Sequence, residues 1–509
     1  MNRKEWRFFL LACGLKLGLA GLLHHGHPSG PAASAGVFAV RGADTFSYLD
    51  PVENLLRHGT YAQDLARLDT YAGRTPGYGV VYGALRLVAS PGPAADGVVV
   101  LQLLLSLFSL YCLARLAQQA SQRDEAFQWT VLLYAANTFT TVFDIRLLTE
   151  SFATSALIIG IYLLARAHRQ SSYAELLGAG AWLAWAVFLR PFLAPLLGLL
   201  VGGYAALAVL PAARRVPARR RRYALGATLL GLPFLLADSA WLGRNWAWYH
   251  RPVPLQSSIW AGYKTAPGLE ELTIFIGTIG EEPAWWNASN DIAWFYKPMA
   301  ETAPNFCGQA SKLAPPAFTY DSLLLVRCRL VLAQDPARPQ AARQAAMSQA
   351  VRALATYSRA YRRHRPFRAL VVAPLKLAYY LIFAHPGDYV FQRPFAELSP
   401  LKKTLKILVH LWYLFLVGMG VVGTLLAGWR ARPEALLSKA VPVYVVVILC
   451  FVLHQVEARY FVVAYPFVVL GAVNLLLTPP ALPRNARKWA SERVKEKLER
   501  NKKRPGDVL

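Results

Sequence analysis

Several things are scarce in this chain, and each scarcity removes a class of function. Acidic residues are few: 29 Asp and Glu stand against 55 Lys and Arg, for a net charge of +26. A basic balance raises nucleic-acid binding, but no basic stripe lies on a soluble domain, so nucleic acid is set aside as a partner. Only five cysteines occur, and neither they nor the histidines fall at metal-ligand spacing. There is no Gly-rich nucleotide loop and no nucleophile elbow, which argues against a fold that uses nucleotide sugars. No internal repeat is apparent. Nothing in the pattern requires a cofactor. A divalent metal stays open only because Asp44, Glu150 and Asp238 could converge.

What the chain has in quantity is apolar sequence. Of 509 residues, 55% are hydrophobic, gathered in blocks of about 17–25 with few charges, long enough to cross a bilayer core. An all-α polytopic membrane protein is expected. The block Phe8–Leu23 follows a basic start and precedes further spans, so it reads as a retained helix and not a cleaved signal. Candidate spans are 6–23, 76–90, 97–117, 126–143, 149–166, 174–190, 191–211 and 223–242, then 368–385, 404–428, 438–455 and 460–478.

Parity trims the list. The basic N-terminus, the arginines within 212–222 and the basic tail all belong on the cytoplasmic side. Segment 76–90 is short and carries Arg86, and 368–385 carries Pro374 and Lys376; both are assigned as interfacial helices. About ten spans result, with an extracytoplasmic first loop and a large extracytoplasmic loop after the seventh span. The organisation expected is a seven-span module 1–243 that includes the first outer loop 24–96, the large loop 244–403 with interfacial helices, a three-span module 404–478, and a cytoplasmic tail 479–509 with a charged helix. Cys13, Cys112 and Cys450 read as packing residues. Cys307 and Cys328 share the large loop, as a disulfide or as two thiols.

This topology gathers the unusual polar residues on one side: Asp44, Tyr48, Asp50, Arg74 and Tyr78; then Asp144, Arg146 and Glu150; Arg190; Asp238 and Arg244; and His454, Glu457 and Arg459. Ionisable groups at membrane depth are costly and mark functional sites. Guanidinium groups at the lipid boundary suit a phosphate, which they clamp with paired charge-assisted bonds. A carboxylate beside them suits proton abstraction from a hydroxyl. Together they describe group transfer from a lipid-linked phosphate.

The stretch "GADTFSYLDPVENLLRHGTYA" resembles the first-loop pattern of the GT-C superfamily of integral-membrane glycosyltransferases: Asp44, Tyr48, then Gly59 and Tyr61. "RTPGYGVVYGAL", from Arg74, resembles the stretch that follows in the branch of protein O-mannosyltransferases and the aminoarabinose and other lipid-linked-sugar transferases. "LLTES", "LRP", "RNW" and "EARYFVVAYP" resemble later landmarks in order, across roughly 1–270 and 440–480. Gly79 stands where a proline is usual, and Thr45 where protein mannosyltransferases carry an acid.

The resemblance implies a GT-C-like bundle that moves one hexosyl or pentosyl group, with inversion, from a polyprenyl-phosphate sugar donor to a lipid, glycan or protein acceptor. It implies Asp44 as general base, and Arg74, Arg244 and Arg459 as ligands of the donor phosphate. Tyr48, Tyr78, Glu150, Arg190, His454 and Glu457 would line the pocket. A bacterial inner membrane, with the site on its outer side, is the expected setting.

Plainer roles stand beside these. Asp44 can cap the helix that begins near Ser47, and Asp50, before Pro51, reads as a cap or turn residue. Glu150 can cap or pair with Arg146. Arg190-Pro191 can mark an interfacial turn, and His454 can be structural. Asp238 reads as bonded within the bundle, and Lys16 as paired or snorkelling. Lys264 reads as a loop charge, the aromatic run near Asn287 as a lid or a small subdomain, and Asn287 as a sequon. Two other functions compete: a transporter or flippase of lipid-linked sugar, disfavoured because the polar groups gather at one face and a long outer loop follows the seventh span, and a polysaccharide ligase or polymerase.

Overall fold

The computed structural model describes residues 2–26, 35–42, 44–66, 68–210, 217–256, 269–280, 325–326, 329, 332–333, 337–383, 389–391, 395–426 and 433–477. The expectations for Cys307 and Cys328, Lys264, Asn287 and the tail 479–509 lie outside these residues. Cys13, Cys112 and Cys450 are free thiols, the last two buried.

The described chain is helical, as the apolar blocks require. In lipid every backbone donor must be satisfied within its own segment or closed sheet. The helices are α1 (Arg3–His25), α2 (Thr45–His58), α3 (Gly77–Arg86), α4 (Pro91–Ser121), α5 (Asp124–Ala135), α6 (Thr138–Asp144), α7 (Thr149–Gln170), α8 (Tyr173–Leu189), α9 (Ala194–Val209) and α10 (Pro217–Tyr249). After the partly described loop come α11 (Leu269–Ile279), α12 (Gln340–His364), α13 (Ala373–Phe383), α14 (Pro400–Leu426), α15 (Pro433–Val446) and α16 (Tyr465–Leu477).

Seven of these segments are long and apolar enough to cross a membrane, or eight if the bent pair α12 and α13 is one span. The figure of about ten is reached only by adding shorter pieces, α8, α16 and the pair α5–α6. Two details differ from the expectation. Segment 126–143 is not one continuous helix: it breaks before Asn137, whose side chain caps α6 by accepting from Thr140 N at 2.9 Å and donates to the Tyr465 hydroxyl. Asp50 neither caps nor turns, because α2 runs through Asp50-Pro51. The two demoted segments are short: α3 has 10 residues, roughly 15 Å of helix, and α13 has 11.

Packing sets two ends to the bundle. The hairpin α7–α8 brings Glu150, near the start of one helix, beside Arg190, at the end of the other. Far from them, Arg115 pairs with Glu5 of α1 at 3.2 Å, and Arg166 pairs with Glu175 at 2.6 Å. Arg222 donates to His168 O at 2.9 Å, and Arg123 donates to Leu477 O. Helices α14 and α16 cross at Gly420, Gly423 and Gly471, where an added Cβ on either side would meet the other backbone. Small residues permit that approach where apolar burial gives no drive between helices.

Mid-bundle, Lys16 is fully buried. Its Nζ sits 2.8 Å from Asp144 Oδ2 and donates to Thr141 Oγ1 at 3.1 Å. Asp144 also accepts from Ser106 Oγ (3.0 Å) and Ser151 Oγ (2.6 Å). Lys16 is therefore paired, and does not snorkel.

Candidate active site

The first loop is pinned to the turn before α7. Val40 N donates to Ile145 O and Leu147 N to Val40 O, both at 3.0 Å, a short parallel bridge. The Thr45 hydroxyl donates to Leu147 O at 3.0 Å and accepts from Gly42 N at 2.7 Å. Gly42 lies so close to Leu148 that a Cβ there would overlap its side chain. Gln102 Nε2 holds the other side of the turn, donating to the carbonyls of Phe143, Asp144 and Arg146 at 3.3, 3.0 and 2.8 Å. This fixes where Asp44 and Glu150 stand relative to each other, although 105 residues separate them in sequence.

Asp44 occupies the N-cap position of α2 but makes no side-chain cap bond. Its carboxylate turns inward instead and accepts from Arg459 Nη2 at 2.6 Å. Arg459 also donates to Glu457, through Nε to Oε2 and through Nη2 to Oε1 at 3.1 Å, and its Nε lies 3.6 Å from Glu150 Oε1. Glu150 is further paired with Arg190. All five side chains are buried. Three carboxylates thus face two guanidinium groups, with Arg146 close enough to feel both Glu150 and Arg459.

The cluster is not fully satisfied. Neither oxygen of Glu150 nor Nη2 of Arg190 makes a hydrogen bond of good geometry among the described residues, despite their contact as an ion pair. A buried group left in that state is costly, and such strain is common where a substrate is to be received. Burial pushes the Glu457 carboxyl up against the opposing pull of Arg459. Burial disfavours the charged form of Arg459, yet the surrounding carboxylates, Asp44 first, hold it well above the ordinary arginine value.

The other expected residues divide into two groups. Arg74 donates Nε to Ser47 Oγ at 3.1 Å and lies over the Tyr48 ring, 4.9 Å from its centroid. Ser47 Oγ in turn donates to Asp44 O at 2.7 Å. Tyr48 contacts Tyr78 at 5.4 Å between ring centroids, and Tyr78 donates its hydroxyl to Gln102 Oε1 at 3.2 Å. These form one wall beside the cluster.

Arg244 and His454 do not join the cluster. Arg244 donates to the carbonyls of Tyr61 and Tyr71 and lies over Trp241 at 4.8 Å. It borders a cavity of about 420 Å³ lined by α2, α3 and α10, with Leu55, Val80, Leu87, Trp241 and Trp248 among its walls. His454, at φ 50°, packs its backbone on Gly277 of α11. Burial lowers its imidazole pKa, with Arg362 adding to the effect. Asp238 accepts from Leu255 N at 3.0 Å, away from Asp44 and Glu150. Among the described residues no group of three His, Cys, Asp or Glu could hold a metal. The clustered carboxylates are paired with guanidinium groups.

Two neighbours of the cluster were not among the expected residues. Tyr389 takes Arg459 N on its hydroxyl at 3.2 Å, and its carbonyl accepts from Arg146 Nη2 at 2.6 Å. Tyr460 lies under Arg190, its centroid at 5.1 Å. Nothing at Tyr389 marks it in a single sequence. Tyr460 could have been found from its place beside Arg459.

A family model for the Alg9-like mannosyltransferase family matches residues 73–247. Nothing among curated proteins matches the chain. Among solved structures, the crystal structure of the Archaeoglobus fulgidus oligosaccharyltransferase in its apo form is similar at 13% identity and a TM-score of 0.46, over 93% of this chain and 50% of that one. The chain thus spans half the length of that structure. The family match covers about a third of the chain, the segment that carries Arg74, Glu150, Arg190 and Arg244, and together with the helices long and apolar enough to cross a membrane this likeness supports a membrane glycosyltransferase of the GT-C superfamily.

Proposed function

We propose that the protein transfers a single sugar from a polyprenyl-phosphate donor to an acceptor hydroxyl with inversion at the anomeric carbon. The observation that carries this reading is the buried contact of Asp44 with Arg459, 2.6 Å apart within a cluster that also holds Glu150, Glu457 and Arg190. One group in it can take a proton, and others can take a phosphate.

Arg459 is the pivot. Its guanidinium donates to the carboxylates of Asp44 and Glu457. A donor phosphate arriving beside Arg459 and Arg190 competes for the same donors and can take them in the same bidentate way. Arg459 then shifts its bonds to the phosphate, and Asp44 Oδ2 is released to accept the acceptor's proton. The acceptor oxygen bonds to the anomeric carbon as the bond from that carbon to the phosphate oxygen breaks. The electron pair leaves with the polyprenyl phosphate, whose growing charge Arg459, Arg190 and Arg74 stabilise. Glu150 and Glu457 keep the arginines in place between turnovers. Tyr48 and Tyr78 shape the wall against the sugar.

The apolar cavity under Arg244 suits the first isoprene units of the donor. A mannosyl donor is the first to test, given the matching family's name. The site sits at the bundle end away from Arg115, Arg123, Arg166 and Arg222. By the positive-inside rule that end is extracytoplasmic, which supports an outward-facing site in a bacterial inner membrane.

The test is transfer by purified protein from labelled polyprenyl-phosphate sugars to candidate acceptors, run beside Asp44→Asn. We expect loss of transfer in the variant. Undiminished transfer would remove Asp44 as the base, and movement of intact donor across a vesicle without transfer would replace the enzyme by a flippase.

A further inference from the structure

Between Asp335 and Asp388 the sequence has no acidic residue, yet it carries eight arginines and one lysine. Within this stretch residues 340–383 form the bent pair α12–α13, with a bend of 108° between its arms. Arg352, Arg359, Arg362, Arg363, Arg365 and Arg368 are all exposed. None of the six forms an ion pair among the described residues.

Past the bend the character changes. Phe367, Leu370, Leu375 and Tyr379 are exposed by 68, 62, 57 and 59%. The opposite face of α13, with Pro374, Leu377 and Leu381, is buried in the protein. An arm that shows apolar groups outward in a membrane protein sits among acyl chains. The arginines at its head then lie at headgroup depth. Cations on the polar side of an apolar arm form the pattern of a segment held at an anionic interface. Arginine suits that place because its fork matches a phosphodiester.

We propose that the outer face of this bend binds acidic phospholipid headgroups. The bend is coupled to the candidate site. Helix α13 packs on the 458–463 segment that carries Arg459, and Arg362 lies within electrostatic reach of His454. Lipid bound at the outer face of the bend is thus one helix away from the strip that presents Arg459, and its occupancy bears on how α13 holds that strip. The inference concerns phospholipid, so it stands or falls apart from the sugar-transfer reading.

The test is lipid retention by the purified full-length chain in detergent, read by native mass spectrometry with equal amounts of phosphatidylglycerol and phosphatidylcholine. Wild type should retain the acidic lipid in excess. The fourfold variant R362Q/R363Q/R365Q/R368Q should lower that excess by about tenfold, an effect expected from several basic residues each drawn to an anionic surface. The matching fourfold lysine variant should keep most of it. If the glutamine variant does not fold, the double variant R362Q/R363Q and the loss of preference with added salt take its place. A glutamine or double variant with the wild-type lipid ratio overturns the proposal. So does a wild type without preference, or one from which millimolar inorganic phosphate displaces the lipid.

Discussion

Replacing Asp44 by Asn and replacing Arg459 by Met should both abolish transfer but differ in stability, and the cluster's geometry says why. Asp44→Asn keeps the shape and removes one negative charge. Arg459 still has Glu457 at 3.1 Å and Glu150 at 3.6 Å, so its charge is not stranded. What is lost is one charge-assisted bond, about 1–2 kcal/mol. Transfer, by contrast, loses its proton acceptor and should fall by about 10²–10⁴. Arg459→Met leaves Asp44, Glu150 and Glu457 facing Arg190 and the more distant Arg146. A buried pair that loses one partner costs about 3–5 kcal/mol, and here three carboxylates lose a shared one. This variant should be both inactive and markedly less stable. The assay is thermal unfolding in detergent alongside sugar transfer. The reasoning is refuted if Asp44→Asn destabilises as much as Arg459→Met, which would make Asp44 a structural member of the pair. It is equally refuted if Arg459→Met unfolds at the wild-type temperature.

Two more expectations follow from buried charges. Lys16→Met should destabilise by about 3–5 kcal/mol because Asp144 is left unpaired, while Lys16→Met with Asp144→Leu should regain most of it; equal unfolding temperatures for single and double variants would count against the pairing. His454 has a folded pKa below its ordinary 6.5. The folded state therefore binds fewer protons than the unfolded, and the stability His454 contributes is present above pH 6.5 and lost as pH falls through the lowered value. His454→Gln should flatten the stability profile in that range, and an unchanged slope would show that the imidazole is not the group that titrates.

Much of the fold was legible because lipid imposes simple rules. Long apolar blocks must be helices, and the short, charged segments 76–90 and 368–385 lack the length to cross alone. The break at Asn137 was not legible, because the run 126–143 is mostly apolar and carries no charge, and the Tyr465 hydroxyl that takes the Asn137 amide lies across the bundle. At the site, Asp44, Glu150, Arg190, Glu457 and Arg459 share an end of the bundle because each stands at the end of a helix, and parity alone places those ends together. Arg244 and His454 share that end too, yet they turn to the first-loop carbonyls and to α11. Sidedness could not separate them from the cluster.

By itself the sequence determined the class, the run of membrane helices and the end of the bundle where charges collect, because hydropathy and charge placement are read residue by residue. The tertiary structure alone decided which acid meets which arginine, that Asp44 spends its carboxylate on Arg459 instead of its own helix, and that Lys16 pairs with Asp144. Those choices depend on distances of a few ångströms between helices far apart in the chain, and a local pattern has no term for them.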